Sequence, residues 1–282
     1  MSIDSTWLRC PNCFSALAGV DDRVYGCSSG HRFDRSKYGF LTLLPPRAPR
    51  TLGDDRAMLA ARDTVLQSGV FDRIADAVVA AASGVHADRP LRVADLGCGT
   101  GFYAARLDRA LPGTAFLLGD RSPDAVRAAA RAVPSGSPVV LDIWQPLPLR
   151  DESADVILNV FAPRNPGEFA RILRPGGRAI VVVPRADHLG ELRSEGTLLD
   201  IPPDKAAAVT DQLRVAGFEP ASADHVRSRC EVDDALRTKF AAMGPSAHHA
   251  AALTGASSSS SAGDHLVVTV SVDVLTFVLP SR

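Results

Sequence analysis

An α/β fold built on a doubly wound, mostly parallel sheet is what this chain predicts, and three observations lead to it. From residue 91 onward, short apolar runs alternate with amphipathic helical stretches, the rhythm of successive βαβ units. At Val93–Gly101 an apolar strand runs straight into a glycine-rich turn and then a helix. The 282 residues, 46% hydrophobic and 22% charged, can fold as one domain of roughly 200 residues plus a small appendage.

Taken in order, residues 10–44 read as a compact, metal-organised unit of short strands. The run Pro45-Pro46-Arg47-Ala48-Pro49 is a stiff extended linker that cannot continue a helix, so a boundary is expected there. The division is then 1–46, a helical linker at 47–88, and the main domain at 89–282. Residues 53–67 and 71–82 are alanine-rich and amphipathic, with Asp54 and Asp55 near the first helix start, where negative charge is favoured. Strands are expected at 91–96, 115–119, 138–142, 154–160 and 178–184, with helices at 103–110, 124–132 and 167–173. The chain turns helical again from 184 to about 216. The serine run 257–261 reads as a loop, and 266–279 as a strand able to pair with the sheet edge.

Composition narrows the function. No run of roughly 18 uncharged apolar residues is present and the N-terminus lacks a signal-peptide pattern, so no membrane partner is expected and the cytoplasm is the expected compartment. Of five cysteines, Cys10, Cys13 and Cys27 crowd into the first tenth of the chain, which suits a metal better than a disulfide scaffold. A formal net charge of −1 rules out a polycation that coats nucleic acid indiscriminately. The first 50 residues nevertheless carry +3, leaving −4 for the rest.

Cys10-x2-Cys13 and Cys27-x3-His31 supply three sulfurs and one nitrogen, enough to fill a tetrahedral zinc shell. A full shell leaves no open position for catalysis, so the metal is expected to be structural, replacing a core that some 35 residues cannot build. Cys98 and Cys230 read as small buried residues.

The glycine loop carries the chemistry. Its spacing, Asp95-x-Gly97-x-Gly99-x-Gly101, differs from a dinucleotide loop and resembles the first motif of class I methyltransferases, whose Rossmann-like fold is then implied. The resemblance implies S-adenosylmethionine as cofactor. Gly97, Gly99 and Gly101 would cradle its methionine part, Asp95 would hold the amino end through its surroundings, and Phe102 would open the following helix. Asp120, ending the second strand, is placed to accept both ribose hydroxyls, with helix capping as the plain alternative. Asp142 and Ile143 are matched to the adenine. Leu173-Arg174-Pro175-Gly176-Gly177 is a structural turn.

The acceptor is less legible. Asn159-Val160-Phe161-Ala162-Pro163 departs from the pattern of exocyclic-amine methyltransferases after its first residue, and no cysteine lies nearby for pyrimidine chemistry. Direct in-line transfer to a ring nitrogen or hydroxyl remains. Phe161 reads equally as a ring that stacks on a flipped base or as a core aromatic, and Asn159 as a hydrogen-bonder of the base edge that is unable to act as a base.

Over nearly its whole length the chain is similar to the bacterial large-subunit rRNA guanine-N1 methyltransferases, including those conferring tylosin and mycinamicin resistance. The similarity rests on the knuckle at Cys10, on Cys27-x3-His31-x-Phe33-Asp34, and on Lys37-Tyr38-Gly39-Phe40 with Leu43-Leu44-Pro45. Gly53-Asp54, Asp95–Gly99 and Phe161-Ala162-Pro163 complete it. It implies methylation of N1 of one guanine in a domain II hairpin loop of 23S rRNA, with position 748 favoured over 745. It also implies a zinc module that helps grip RNA, and a homodimer. A small-molecule methyltransferase and a zinc-dependent RNA-binding scaffold are the competing readings.

Overall fold

The computed structural model describes residues 3–45, 53–85, 89–194, 198, 200–244 and 266–281. The serine run and most of the proline linker lie outside the described residues.

After a 3-10 turn at Ser5–Trp7, three short strands, β1 (Ala18–Gly19), β2 (Val24–Gly26) and β3 (Arg32–Asp34), pair antiparallel in a small sheet. Next come β4 (Leu41–Thr42) and the helices α1 (Arg56–Gln67) and α2 (Asp72–Ser83). Asp55 caps α1 by accepting from the Met58 amide at 2.9 Å. The main run follows as β5 (Arg92–Leu96), α3 (Phe102–Ala110), β6 (Ala115–Asp120), α4 (Pro123–Ala132), β7 (Ser137–Val140), β8 (Ala154–Val160), α5 (Pro166–Ile172) and β9 (Leu173–Pro184). Helices α4 and α5 start as their sequences dictate, Ser122 and Asn165 at the caps and Pro123 and Pro166 in the first turn. The chain closes with α6 (Gly190–Ser194), α7 (Lys205–Val215), β10 (Glu219–Val232), α8 (Asp234–Ala242) and β11 (Leu266–Val278).

Eight strands form the main sheet in the order β10-β11-β9-β8-β5-β6-β7-β4. The chain winds outward from β5 through β6 and β7 on one side and from β8 through β9 on the other, so the switch point falls between β5 and β8, where doubly wound folds bind ligands. Both faces are covered. Val93, Phe116, Leu118, Val156 and Leu158 face α1–α4, α6 and α8. Ala94, Leu96, Leu117, Ile157 and Val181 face α5 and α7, and on this same side lie Trp7, Leu8, Leu17, Leu41 and Leu43 of the N-terminal module. The module thus shares its core with the sheet, and β4 extends that sheet beside β7.

The structure adds β10 and α8, which the sequence pattern did not show. Edge strand β10 carries Asp, His, Arg and Ser side chains that are mostly exposed, so it lacks the apolar alternation that marks a strand. Residues 266–278 do form a strand, yet it lies inside the sheet between β9 and β10 instead of ending it. Its buried Val268, Val270, Val272 and Val274 fit that interior place. Among the described residues, the helical stretch expected from 184 to 216 holds α6 and α7, and Pro202-Pro203 lie just before the second. The Leu173–Gly177 turn is a local irregularity at the start of β9, where five residues of β9 advance against two of β8.

Candidate active site and metal cluster

The glycine loop lies at the carboxyl end of β5. The Gly97 and Cys98 amides donate to the Gly119 carbonyl at 2.8 and 3.1 Å, which ties the loop to the end of β6. Gly97 (φ +91°) and Gly101 (φ +80°) occupy left-handed backbone, and neither has room for a side chain. A Cβ on Gly97 would collide with Ala162, and one on Gly101 would lie 2.7 Å from Ala129 Cα. The two glycines bring the loop close to the β8 turn on one side and to α4 on the other.

Asp120 ends β6 and accepts from the Gly99 amide at 3.0 Å through one oxygen and from the Ser122 amide at 2.9 Å through the other. Each oxygen retains a lone pair for a further donor. Burial pushes its pKa up, the two amides pull against that, and the nearby Asp54 charge adds to the rise. Asp95 is buried, and its pKa is pushed up to about 7, first by burial and then by the Asp120 charge. Asp142 is buried after β7, pairs with Arg121 and accepts from the Trp144 amide at 3.1 Å. Ile143 is buried beside it, its carbonyl accepting from Asn165 Nδ2 at 3.0 Å. Phe102 opens α3 with its ring under the Arg106 guanidinium, 5.2 Å from the ring centre.

Asn159 is wholly buried near the end of β8. Its Nδ2 donates to the Leu96 carbonyl at 3.1 Å and to the Pro163 carbonyl at 2.7 Å, fastening the loop start to the turn after β8. Among the described residues its Oδ1 has no partner, and the same is true of the buried Thr100 Oγ1 and Tyr103 Oη. Buried polar atoms without partners are costly. Three of them, two on the loop and its helix and one on the strand beside it, are what a polar ligand would satisfy. Together with the two glycine positions that exclude side chains, they fit the methionyl and nucleoside groups of S-adenosylmethionine.

Phe161 follows Asn159 by two residues, is 42% exposed and has φ +53°, a left-handed value that is strained for an aromatic residue. Its ring lies 6.2 Å from Phe71 and 5.8 Å from His188. Sequence reasoning missed both of these neighbours, and also Arg62, which pairs with Asp54 and lies by Gly99, and Tyr103. His188 did carry one signal, its position just past the end of a strand in a fold whose sites sit at strand ends.

In the N-terminal module, Cys10, Cys13, Cys27 and His31 bring their ligand atoms within 4.8 Å of one another. Cys13 Sγ and Cys27 Sγ lie 3.6 Å apart, and His31 Nδ1 lies 3.4 Å from Cys27 Sγ and 3.6 Å from Cys10 Sγ. A tetrahedral ion at ordinary zinc bond lengths would set these edges at about 3.8 Å between sulfurs and about 3.5 Å from sulfur to nitrogen. The geometry matches a closed, four-ligand shell. Gly30, at φ +85°, makes the turn that returns His31 to Cys27. No helix among the described residues is long and apolar enough to cross a membrane.

Comparison with known proteins agrees with this geometry. Residues 93–177 match the methyltransferase domain family, and residues 8–51 match the family described as RlmA, N-terminal, a zinc ribbon. The fold is similar to that of a candidate methyltransferase from Bacillus halodurans, with a TM-score of 0.52 and 15% identity over 72% of this chain and 99% of that one. The 23S rRNA (guanine(748)-N(1))-methyltransferase of Streptomyces fradiae is 41% identical over 245 residues, 86% of each chain. A candidate 23S rRNA (guanine-N1)-methyltransferase of Micromonospora griseorubida is 40% identical over 258 residues, 86% of this chain and 87% of that protein. With a relative 41% identical over 86% of each chain, and matches to both the methyltransferase domain and the RlmA N-terminal family, the chain belongs to the 23S rRNA (guanine-N1)-methyltransferase family.

Proposed function

We propose that this chain methylates N1 of a specific guanine in a domain II hairpin loop of 23S rRNA, position 748 being favoured, with S-adenosylmethionine as donor. The observation that carries the reading is the 41% identity to a guanine(748)-N1 enzyme across 86% of both chains. The cofactor supplies an electrophilic methyl group on a sulfonium. Asp95 would face its amino end, Gly97, Gly99 and Gly101 would cradle the methionine part beside Phe102, Asp120 would grip the ribose, and Asp142 with Ile143 would hold the adenine. Asn159 fixes the floor between β5 and β8, and Phe161 offers an exposed ring for a flipped base to stack on. Zinc on Cys10, Cys13, Cys27 and His31 would be structural and would hold the module against the RNA.

On the family resemblance we read the enzyme as a cytoplasmic homodimer, and the modification as one that protects ribosomes against macrolides such as tylosin or mycinamicin. The test is incubation of the protein and S-adenosylmethionine with unmethylated 23S rRNA, followed by mapping of reverse-transcriptase stops, since an N1 methyl blocks the pairing edge. A single cofactor-dependent stop in the domain II hairpin is expected. Cofactor binding without any stop would favour a small-molecule substrate, and absence of cofactor binding would favour an RNA-binding scaffold.

A further inference from the structure

Guanine N1 carries a proton at neutral pH, and the Asn159–Pro163 motif at the end of β8 holds no carboxylate or imidazole to take it. Folding brings one imidazole to the acceptor side of the crevice. His188 follows β9, is 7% exposed, and stacks on Phe71 at 6.0 Å with 21° between the ring planes. Its ring lies 5.8 Å from that of Phe161. From β11, the Ser271 backbone N–H donates to His188 Nδ1 at 3.2 Å.

That bond fixes the tautomer. A nitrogen that accepts an N–H must carry its lone pair, so in the neutral ring the proton sits on Nε2. Neutrality is enforced by burial and by the Arg193 charge, which together bring the pKa down to about 4. His188 is therefore ill-suited to be a base. Protonated, it would be a buried cation facing Arg193 and Lys205, which the Asp187 charge and the Ser271 backbone only partly offset. What it offers is a neutral ring with an Nε2–H donor.

We propose, on the guanine-N1 reading above, that His188 recognises the target base by donating Nε2–H to guanine O6, next to the Phe161 ring. In the transfer, N1 gains the methyl carbon, the donor's carbon–sulfur bond breaks with its electron pair kept by sulfur, and the N1 proton passes to water. Loss of that proton places negative charge on O6, and a preorganised donor there stabilises the charge as it develops. The same donor excludes adenine, whose amine would meet it hydrogen to hydrogen.

The test compares wild type with His188→Phe, which keeps an aromatic ring and removes the donor, and His188→Gln, which keeps an N–H. All three are assayed on full-length unmethylated 23S rRNA for single-turnover rate, rRNA KM and S-adenosylmethionine affinity. The Phe variant should lose about 100-fold in rate, the scale of one oxyanion donor, with KM and cofactor affinity nearly unchanged. The Gln variant should recover most of that loss. Equal rates for all three, or equal losses in both variants, would overturn the proposal. So would a loss accompanied by weakened cofactor binding, which would mark a structural role. Imidazole nitrogen NMR of the wild-type protein provides a readout independent of how the variants fold. The proton should lie on Nε2 and its signal should move when rRNA binds; a proton on Nδ1, or a signal unmoved by rRNA, overturns the proposal. If wild type leaves the rRNA unmethylated, it is the guanine-N1 reading that fails, and this inference falls with it.

Discussion

Asp95 shows how burial turns one side chain into a reporter of ligand binding. In the free protein its carboxyl is pushed up to about 7 by burial and by the neighbouring Asp120 charge. The folded chain therefore holds a proton there that the unfolded chain, with an ordinary carboxyl near 3.8, would release. This group's contribution to stability is full below pH 3.8 and is lost as pH rises through about 7. A cationic amine brought beside Asp95 favours the carboxylate, so binding below pH 7 must expel the proton. We expect S-adenosylmethionine affinity to rise by up to about tenfold per pH unit approaching 7 and to level off above it. Calorimetry at pH 6 in buffers of different ionisation heat should register the release of up to one proton, and Asp95→Asn should abolish it. Affinity that stays flat from the acid side through neutrality would refute this linkage. The sequence placed Asp95 at its motif position, but the raised pKa depends on Asp120, 25 residues away in the chain, and on complete burial, which no local pattern reports.

Among the elements, what was legible followed from local chemistry. Parallel strands buried on both faces announce themselves as apolar runs, and proline or serine caps announce helix starts, so β5–β9 and α3–α5 were readable within a few residues. Edge strand β10 was not, because its register is set by long-range pairing with β11 and not by its own polar residues. His188 was hidden for the same reason, since its partners Ser271 and Phe71 reach it from β11 and from the residue before α2. Between elements, Asp155 near the start of β8 accepts from Arg89 at 2.5 and 2.8 Å, from Arg174 at 2.9 Å and from the Arg92 amide at 2.9 Å. Burial pulls its pKa up, and these bonds outweigh burial and hold it below the usual carboxylate value. It therefore joins β8 to β5 and β9 at the end of the sheet opposite the site. Asp155→Asn would leave partly exposed guanidiniums without their charge partner, so we expect a loss of about 2 kcal/mol, less than a fully buried pair would cost. A melting temperature lower by about 5 °C, with cofactor affinity retained, is the outcome to look for. Unchanged melting would show that the cluster contributes nothing net.

Taken as a whole, the molecule makes the metal cluster a property of the full chain. The N-terminal module inserts Trp7, Leu8, Leu17, Leu41 and Leu43 into the same apolar layer as Leu117, Val139 and Leu149. Backbone and side-chain bonds reinforce that layer. The Arg9 amide donates to the Pro148 carbonyl at 3.0 Å, the Arg150 amide to the Trp7 carbonyl at 2.9 Å, and the Arg150 guanidinium to the Leu8 and Leu17 carbonyls at 2.8 and 2.9 Å. The Arg92 guanidinium covers the Trp7 ring at 3.9 Å. A small module held only by its metal would unfold alone when the metal is stripped, because such units have too little core of their own. Here the cluster fixes the knuckle that positions Leu8 and Leu17, so loosening it should loosen the layer beneath the sheet. Differential scanning calorimetry of the metal-loaded protein and of the same protein after chelation should thus show one transition in each case. The second should lie lower by about 10 °C, equivalent to a few kcal/mol in a chain of this size. Cys10→Ser should reproduce the chelated value and be insensitive to added zinc. Two transitions after chelation, the upper one at the original temperature, would mean that the module and the sheet fold independently despite their common core.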